Sequence, residues 1–181
     1  MSKIGRQVIS TVDVQVEIKG QEIQYKGPKA QGVYVLPEYL KATHESQELR
    51  LALADATDKE HSNFWGLHKA LLANTIAGAR QEFKVEVKIV GLGFKAELKG
   101  SNAMIFSLGY SHKINFDLPA GVTVALDKSG QNITISSSDK FLAGDVAQKI
   151  RALRKPEPYK GTGICVANEV IHRKAGKTKG A

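Results

Sequence analysis

The side chains best suited to hold a ligand gather at the carboxyl end of this 181-residue chain. Residues 151–181 contain eight Lys or Arg and two Glu, so they carry +6 of the total formal charge of +8. Basic groups neutralise phosphates and release the cations condensed on nucleic acid, which drives binding at low salt. The distribution therefore predicts that the chain docks on a polyanion. A solvated terminus without a ligand is the alternative.

Within this stretch, residues 155–164 combine cations with an aromatic ring, two prolines and two glycines. Lys160 can neutralise a phosphate while Tyr159 stacks on a base or sugar. Gly161 and Gly163 allow the backbone to approach a phosphate or to turn tightly. The prolines give the segment a fixed direction. The other interpretation is a surface turn with a packed tyrosine.

Residue types used in catalysis occur without the spacing that catalysis needs. Ser111, His112 and Asp117 lack a tight Gly-x-Ser-x-Gly turn around the serine. Gly91-Leu92-Gly93 lies between two predicted strands rather than before a helix, so it is no dinucleotide motif. No metal-ligand spacing appears, and Cys165 between apolar neighbours is expected to be buried and inert. We therefore predict no enzyme, no cofactor, no metal and no small-molecule substrate; a small hydrolase using the serine and histidine is the competing hypothesis.

Cellular location follows from what the sequence lacks. No stretch approaches the roughly 18 to 20 apolar residues of a membrane helix, and the first residues have no apolar segment typical of a secretory signal. A single cysteine excludes an intramolecular disulfide framework and fits a reducing compartment. We expect a cytoplasmic protein with no membrane partner.

Two predicted units must position these side chains. In the first, alternation of apolar and polar residues over 12–18 and 23–25 predicts a hairpin, and 49–53 predicts a further strand. Residues 33–48 are undecided, since Pro37 interrupts a possible strand.

A helix running to about Arg80 closes the first unit. Thr57 and Glu60 fit a capping box at its start, and Trp65 is expected to pack in the core. Its predicted apolar face consists of Phe64, Leu67, His68, Leu71, Leu72, Thr75, Ile76 and Ala79.

The second unit repeats this pattern of strands followed by a helix. Its predicted strands are 83–89, 94–98, 104–106, 114–118, 122–126 and 133–135. A helix capped near Ser138-Asp139, with Leu142, Val146, Ile150 and Leu153 on its apolar face, ends at Arg154-Lys155-Pro156.

An internal duplication accounts for this similarity. The hairpin Val12 to Gly27 can be laid over Val122 to Ser137, although chance convergence on a common pattern is the alternative. The sequence predicts an α+β fold with two similar small domains, each a mostly antiparallel sheet backed by one helix. The predicted boundaries are 1–81 and 82–154 for the domains and 155–181 for a basic tail that orders on binding RNA.

Residues 155–164, Lys-Pro-Glu-Pro-Tyr-Lys-Gly-Thr-Gly-Ile, resemble the carboxyl-terminal signature of the bacterial type of large-subunit ribosomal protein L-six. The similarity continues in order along the chain. The other similar stretches are Ser2-Lys3-Ile4-Gly5-Arg6, Lys26-Gly27-Pro28-Lys29, Trp65-Gly66, Val90-Gly91-Leu92-Gly93-Phe94-Lys95-Ala96, Leu108-Gly109-Tyr110-Ser111-His112 and Arg173-Lys174-Ala175-Gly176-Lys177. The chain departs from the family pattern at Thr162, which removes a cation from the expected RNA contact, at Cys165, which replaces a commonly basic residue, and at Ala30, where the family often has glycine. Residues 33–48 depart most.

The resemblance implies a structural protein of the large ribosomal subunit in the cytoplasm. Such a protein binds 23S-type rRNA near the stalk base and the translation-factor site, beside neighbouring ribosomal proteins and with translation factors nearby, and it supports subunit assembly. The residues expected to bind RNA are Lys3, Arg6, Lys95, Lys155, Tyr159, Lys160, Gly161, Gly163, Arg173, Lys174, Lys177 and Lys179.

A free-standing binder of single-stranded RNA is the second competing hypothesis. Two helix-backed sheets are similar to tandem RNA-recognition domains, which stack bases on aromatic residues of a sheet face. Phe94, Phe106 and Tyr110 are the aromatics placed to serve, but no stretch fits the aromatic-rich consensus of those domains.

Overall fold

The computed structural model describes residues 2–55, 60–100 and 102–177. In these ranges the chain forms thirteen strands and two helices, which divide into two compact units. The first unit contains the residues up to Glu82 together with Ser138–Lys140, and the second contains Phe83–Ser137 and the residues from Phe141 onward. The predicted α+β class with two similar small domains is confirmed.

Two three-stranded antiparallel sheets and one long helix make up the described part of the first unit. The strands are β1 (Ile9–Ser10), β2 (Gln15–Lys19), β3 (Glu22–Lys26), β4 (Gln31–Val35), β5 (Leu40–Glu45) and β6 (Glu48–Leu53). One sheet has the order β2-β3-β4 and the other β1-β6-β5. The predicted hairpin is confirmed as β2 and β3, with Ile18 opposite Ile23. Residues 33–48 contribute to β4 and β5, and Pro37 lies in the turn that separates them.

Helix α1 (Ser62–Arg80) buries only part of the predicted face. Leu72, Ile76 and Ala79 are buried as expected, but the other side of that face is exposed. Phe64, Leu67 and Leu71 are 43–49% exposed, whereas Trp65 and Leu72 are buried. The Trp65 indole explains the difference, because its Nε1 donates a hydrogen bond to the Leu51 carbonyl at 2.9 Å. This bond holds the tryptophan side of the helix against the sheet.

The start of α1 also differs from the prediction. The proposed capping residue Thr57 lies outside the described residues, and the helix begins at Ser62. His61, which precedes the helix, makes no capping hydrogen bond with its side chain.

The described part of the second unit contains a three-stranded sheet, a four-stranded sheet and one helix. The elements are β7 (Phe83–Val90), β8 (Lys95–Lys99), β9 (Ala103–Ser107), β10 (Ile114–Asp117), β11 (Val122–Leu126), β12 (Asn132–Ser137), α2 (Lys140–Leu153) and β13 (Gly163–Val166). The sheet orders are β10-β9-β8 and β11-β12-β7-β13, all antiparallel. The predicted face of α2 is confirmed, since Val146 and Ile150 are buried and Leu142 and Leu153 pack against the same core.

The two units share one topology, but not in the alignment predicted from the sequence. Each unit runs from a first strand through a three-stranded meander to a hairpin that pairs with that first strand, and then into a helix. The counterpart of β2 and β3 is therefore β8 and β9, and β11 and β12 correspond to β5 and β6. Laying Val12 to Gly27 over Val122 to Ser137 was wrong, because alternation is common to every half-buried hairpin and cannot distinguish one from another.

Strand β13 lies within the segment predicted as a basic tail. It pairs antiparallel with β7, placing Ile164 opposite Ile89, and both side chains are buried. The segment therefore adds a fourth strand to the larger sheet of the second unit, and the basic residues on either side of β13 are attached to the domain core.

Candidate nucleic-acid interface

A tight turn connects α2 to β13 and carries the first predicted RNA-binding residues. The Glu157 amide donates to the Thr162 carbonyl, and the Gly161 amide donates to the Glu157 carbonyl, each at 2.9 Å. The Ile164 amide donates to the Arg154 carbonyl at 2.8 Å, which joins the base of the turn to the helix end. These bonds fix the direction in which the side chains of residues 155–160 leave the domain.

Both glycines of the turn are required by the protein's own packing. Gly163 has a φ of +141°, and a Cβ there would lie 2.6 Å from the Lys155 carbonyl oxygen. Gly161 has a φ of +72°, and a Cβ there would lie 3.1 Å from an Arg173 guanidinium nitrogen. Both are buried, so they shape the turn from within, and their neighbours present the exposed groups.

The segment after β13 returns to the turn. The Ala167 amide continues the pairing by donating to the Glu86 carbonyl at 2.9 Å, and the Lys174 amide donates to the Pro158 carbonyl at 2.9 Å. Arg173 and Lys174 therefore lie at the turn.

An ion pair holds this returning segment to helix α2. The Arg151 guanidinium donates two hydrogen bonds to the Glu169 carboxylate, one of them from Nε at 2.7 Å. These bonds hold the pKa of Glu169 below its usual value and raise the pKa of Arg151. Both side chains are about three-quarters buried, where such a pair is screened less than on an open surface.

The result is one basic surface on the second unit, which we call the carboxyl-terminal cationic surface. Its positively charged members, all exposed, are Lys155, Lys160, Arg173, Lys174 and Lys177. Tyr159 lies among them and is 54% exposed. Thr162, where the family signature has lysine, donates its hydroxyl to the Glu157 carboxylate at 3.1 Å. The departure therefore loses a cation and instead restrains the acidic group of the turn.

The other predicted residues lie elsewhere. Lys95 begins β8 in the smaller sheet of the second unit, and its ammonium is 2.8 Å from the Glu97 carboxylate, whose pKa it lowers. Lys3 and Arg6 are exposed in the first unit, on a turn whose Gly5 packs against the Trp65 indole. Lys179 lies outside the described residues.

Arg154 was missed by the sequence analysis, which treated it only as part of the helix stop. Its Nη1 donates to the Leu108 carbonyl at 2.7 Å, and its Cζ lies 5.0 Å from the ring centre of Phe94 and 4.9 Å from that of Tyr110. The Tyr110 ring is in turn stacked with His112, with ring centres 6.1 Å apart and planes at 22°. We call Phe94, Arg154, Tyr110 and His112 the arginine stack; the pairing of Phe94 and Tyr110 around basic residues was its only sequence signal.

The geometry gives little support to the competing hypotheses. Phe106 is fully buried and Phe94 is covered by Arg154, so these aromatics do not form an exposed platform on a sheet face. His112 stacks on Tyr110, and both it and Ser111 lie in the open loop after β9, without the enclosure that a hydrolytic triad needs.

Other candidate chemistry is also accounted for by packing. The His68 ring is hydrogen-bonded to the hydroxyls of Tyr34 and Tyr39 at 2.8 and 3.3 Å, and burial lowers its pKa. Cys165 is buried, which raises the pKa of its thiol. Within residues 2–55, 60–100 and 102–177, no three His, Cys, Asp or Glu side chains come together to hold a metal ion. No helix in the same ranges is long and apolar enough to cross a membrane.

Comparison with known proteins gives a consistent result along the chain. The sequence profile of the family described as Ribosomal protein L6 matches residues 90–166. The large ribosomal subunit protein uL6 of Syntrophomonas wolfei is 40% identical over 181 residues, covering 99% of each chain. Proteins of the same name from Trichormus variabilis and Caulobacter vibrioides are each 39% identical, over 98% and 99% of this chain and 97% and 100% of their own.

Proposed function

This chain belongs to the ribosomal protein L6 family, and from that membership we propose that it is an rRNA-binding constituent of the large ribosomal subunit. The proposed ligand is 23S-type rRNA near the stalk base and the translation-factor site, beside neighbouring ribosomal proteins. Binding there supports subunit assembly.

Family membership also bears on whether the chain is an enzyme and where in the cell it is found. The relatives are structural ribosomal proteins, so the chain is not an enzyme, as the sequence predicted. Its location is that of the large ribosomal subunit in the cytoplasm. The resemblance drawn from residues 155–164 is likewise confirmed.

The observation that carries the proposal of rRNA binding is the carboxyl-terminal cationic surface. Five exposed cations and the exposed Tyr159 lie on the turn and on the segment that returns to it, and the turn is fixed by backbone hydrogen bonds and by Gly163. A rigid array of Lys and Arg matches the phosphates of folded RNA with little loss of backbone entropy on binding. In this assignment residues 1–81 form the first domain, residues 82–154 together with β13 form the second, and residues 155–181 contain the main RNA contacts.

The assignment of individual residues follows from their exposure. The five cations of the surface, Lys155, Lys160, Arg173, Lys174 and Lys177, are proposed to contact phosphate, with Tyr159 packing on a sugar or base. Gly161 and Gly163 act by shaping the turn. Lys3, Arg6 and Lys95 are proposed as additional contacts outside the cationic surface.

Sucrose-gradient fractionation of cell extract tests the proposal. The chain is expected to travel with the large subunit at low salt and to leave it as salt rises, because phosphate contacts weaken with ionic strength. Sedimentation as a free protein at low salt, with large subunits intact and lacking the chain, would contradict the proposal.

A further inference from the structure

The arginine stack presents flat groups to solvent beside positive charge. Tyr110 is 46% exposed and His112 is also exposed, whereas Phe94 and Arg154 are partly buried beneath them. The Tyr110 and His112 planes differ by 22°, so a flat ligand aligned with one ring is nearly aligned with the other. Exposed rings in this arrangement can extend their stacking to one more flat group.

Contacts with Arg154 and Leu153 fix the position of the Tyr110 ring. The Arg154 guanidinium lies over both the Phe94 and the Tyr110 rings, and its Nη1 donates to the Leu108 carbonyl at 2.7 Å. The Tyr110 hydroxyl donates to the Leu153 carbonyl at 3.2 Å. A Cβ on Gly109 would lie 2.7 Å from the Phe94 ring, so the loop backbone packs closely against that ring. Tyr110 is therefore held in place before any ligand arrives, and His112 stacks on it.

The charges around the stack favour a nucleic acid. Lys113 follows His112, Lys155 follows Arg154, and both are exposed. Lys113 also lies close enough to the Glu97 carboxylate to help lower its pKa, as Lys95 does. Proteins bind single-stranded nucleotides with exposed rings flanked by cations: the base stacks on the ring, and the cation pairs with the phosphate.

Resting on the proposed rRNA-binding function, we infer that Tyr110 and His112 form a stacking site for one unpaired nucleobase of the rRNA, with Arg154 as the positioning residue. A paired base is excluded because both of its faces are covered by neighbours in the helix. The site is distinct from the sheet-face aromatic platform of RNA-recognition domains, since both rings lie in the loop between β9 and β10.

The test uses the full chain bound to large-subunit rRNA, probed by two reagents. Hydroxyl radicals report backbone contacts, and 2′-hydroxyl acylation reports the mobility of individual nucleotides. The wild type is expected to immobilise at least one unpaired nucleotide. His112→Ala should free that nucleotide, leave the backbone footprint in place and weaken binding about tenfold, as expected for loss of stacking on one base. His112→Phe keeps a flat ring and should retain the protection.

Two further variants separate stacking from charge. Lys113→Gln removes the adjacent cation and should preserve the acylation pattern while reducing the salt dependence of binding. Arg154→Lys keeps the charge but loses the flat guanidinium, so the nucleotide should become mobile with the salt dependence unchanged. Thermal unfolding of each variant checks that the domain remains folded.

The outcomes distinguish this inference from the function on which it rests. If the wild type leaves no footprint on the rRNA, the proposed function fails. If the wild type leaves a footprint and His112→Ala produces the same acylation pattern, the stacking site is refuted. If His112→Ala leaves both the backbone footprint and the acylation pattern of the rRNA unchanged but weakens retention on whole subunits, the rings face a protein and the inference is again wrong.

Discussion

Replacing the five cations of the carboxyl-terminal cationic surface by glutamine should reduce the salt dependence of rRNA binding. The variant carries Gln at the positions of Lys155, Lys160, Arg173, Lys174 and Lys177, and its formal charge is five lower than +8. Each neutralised phosphate contributes about 0.7 to 0.9 to the slope of log affinity against log salt. If all five contact phosphate, the slope should become shallower by about 3.5 to 4.5.

This change is large enough to measure directly. A slope difference of about 4 means that the affinity ratio of wild type to variant shrinks roughly 250-fold between 50 and 200 mM salt. Filter binding to large-subunit rRNA at several salt concentrations gives both slopes. All five side chains are exposed, so each replacement should change the free energy of unfolding by less than about 0.5 kcal/mol.

A second variant with the same net charge provides the control. It replaces five exposed cations outside the surface, four of which already have acidic partners. These are Lys19, Lys41, Arg50, Arg80 and Lys149. The control should keep a slope close to that of the wild type. Equal slopes for the two variants would refute the argument, because binding would then depend on total charge and not on this surface.

Three further predictions test the structure beneath the surface. Gly163→Ala should destabilise the second unit by about 2–3 kcal/mol, because the new Cβ meets backbone 2.6 Å away at a φ of +141°. Amide hydrogen exchange in β7 and β13 measures this loss, and exchange rates equal to those of the wild type would contradict the prediction. Glu169→Gln should lower stability by about 1 kcal/mol at neutral pH. Arg151 holds the pKa of Glu169 down, so the stabilisation is present above the carboxyl's unfolded pKa of about 4.3 and is lost as pH falls through the folded value; an equal loss at pH 7 and pH 3 would be inconsistent with the pair. Leu72→Ala should lower the free energy of unfolding by about 2–5 kcal/mol, whereas Leu67→Ala should lower it by less than about 0.5 kcal/mol. Fluorescence of the single tryptophan during denaturation measures both values, and equal effects would mean that the buried face of the helix is assigned wrongly.

The elements with a single dominant pattern could be predicted from the sequence. The hairpin of β2 and β3 alternates cleanly around a short polar turn, and α2 has apolar residues at helical spacing with polar residues between them. In both cases local periodicity specifies one buried face, and tertiary packing agrees with it.

Helix α1 shows where periodicity fails. Apolar residues at helical spacing form one broad face that includes Leu67 and Leu71 as well as Leu72 and Ile76, and the spacing does not show which part of that face is buried. The buried part is the one beside Trp65, whose hydrogen bond to Leu51 of β6 is a tertiary contact that the spacing of residues within the helix does not reveal.

Features that depend on contacts between distant parts of the chain could not be predicted from the sequence. Strand β13 is four residues long and pairs with β7, about seventy residues earlier in the chain, so no local signal distinguishes it from a loop. Arg154 likewise acquires its role from Phe94 and Tyr110 in other parts of the second unit. Charge count and family resemblance located the candidate site, but its shape depends on these distant contacts.

A structure of the large ribosomal subunit containing this chain tests the central claim most directly. The quantity to measure is the distance from the side-chain nitrogens of Lys155, Lys160, Arg173, Lys174 and Lys177 to the nearest rRNA phosphate oxygens. We predict that most of these distances fall within about 4 Å, the range of an ion pair. A structure in which these side chains face solvent or protein while the rest of the chain contacts the rRNA would contradict the account.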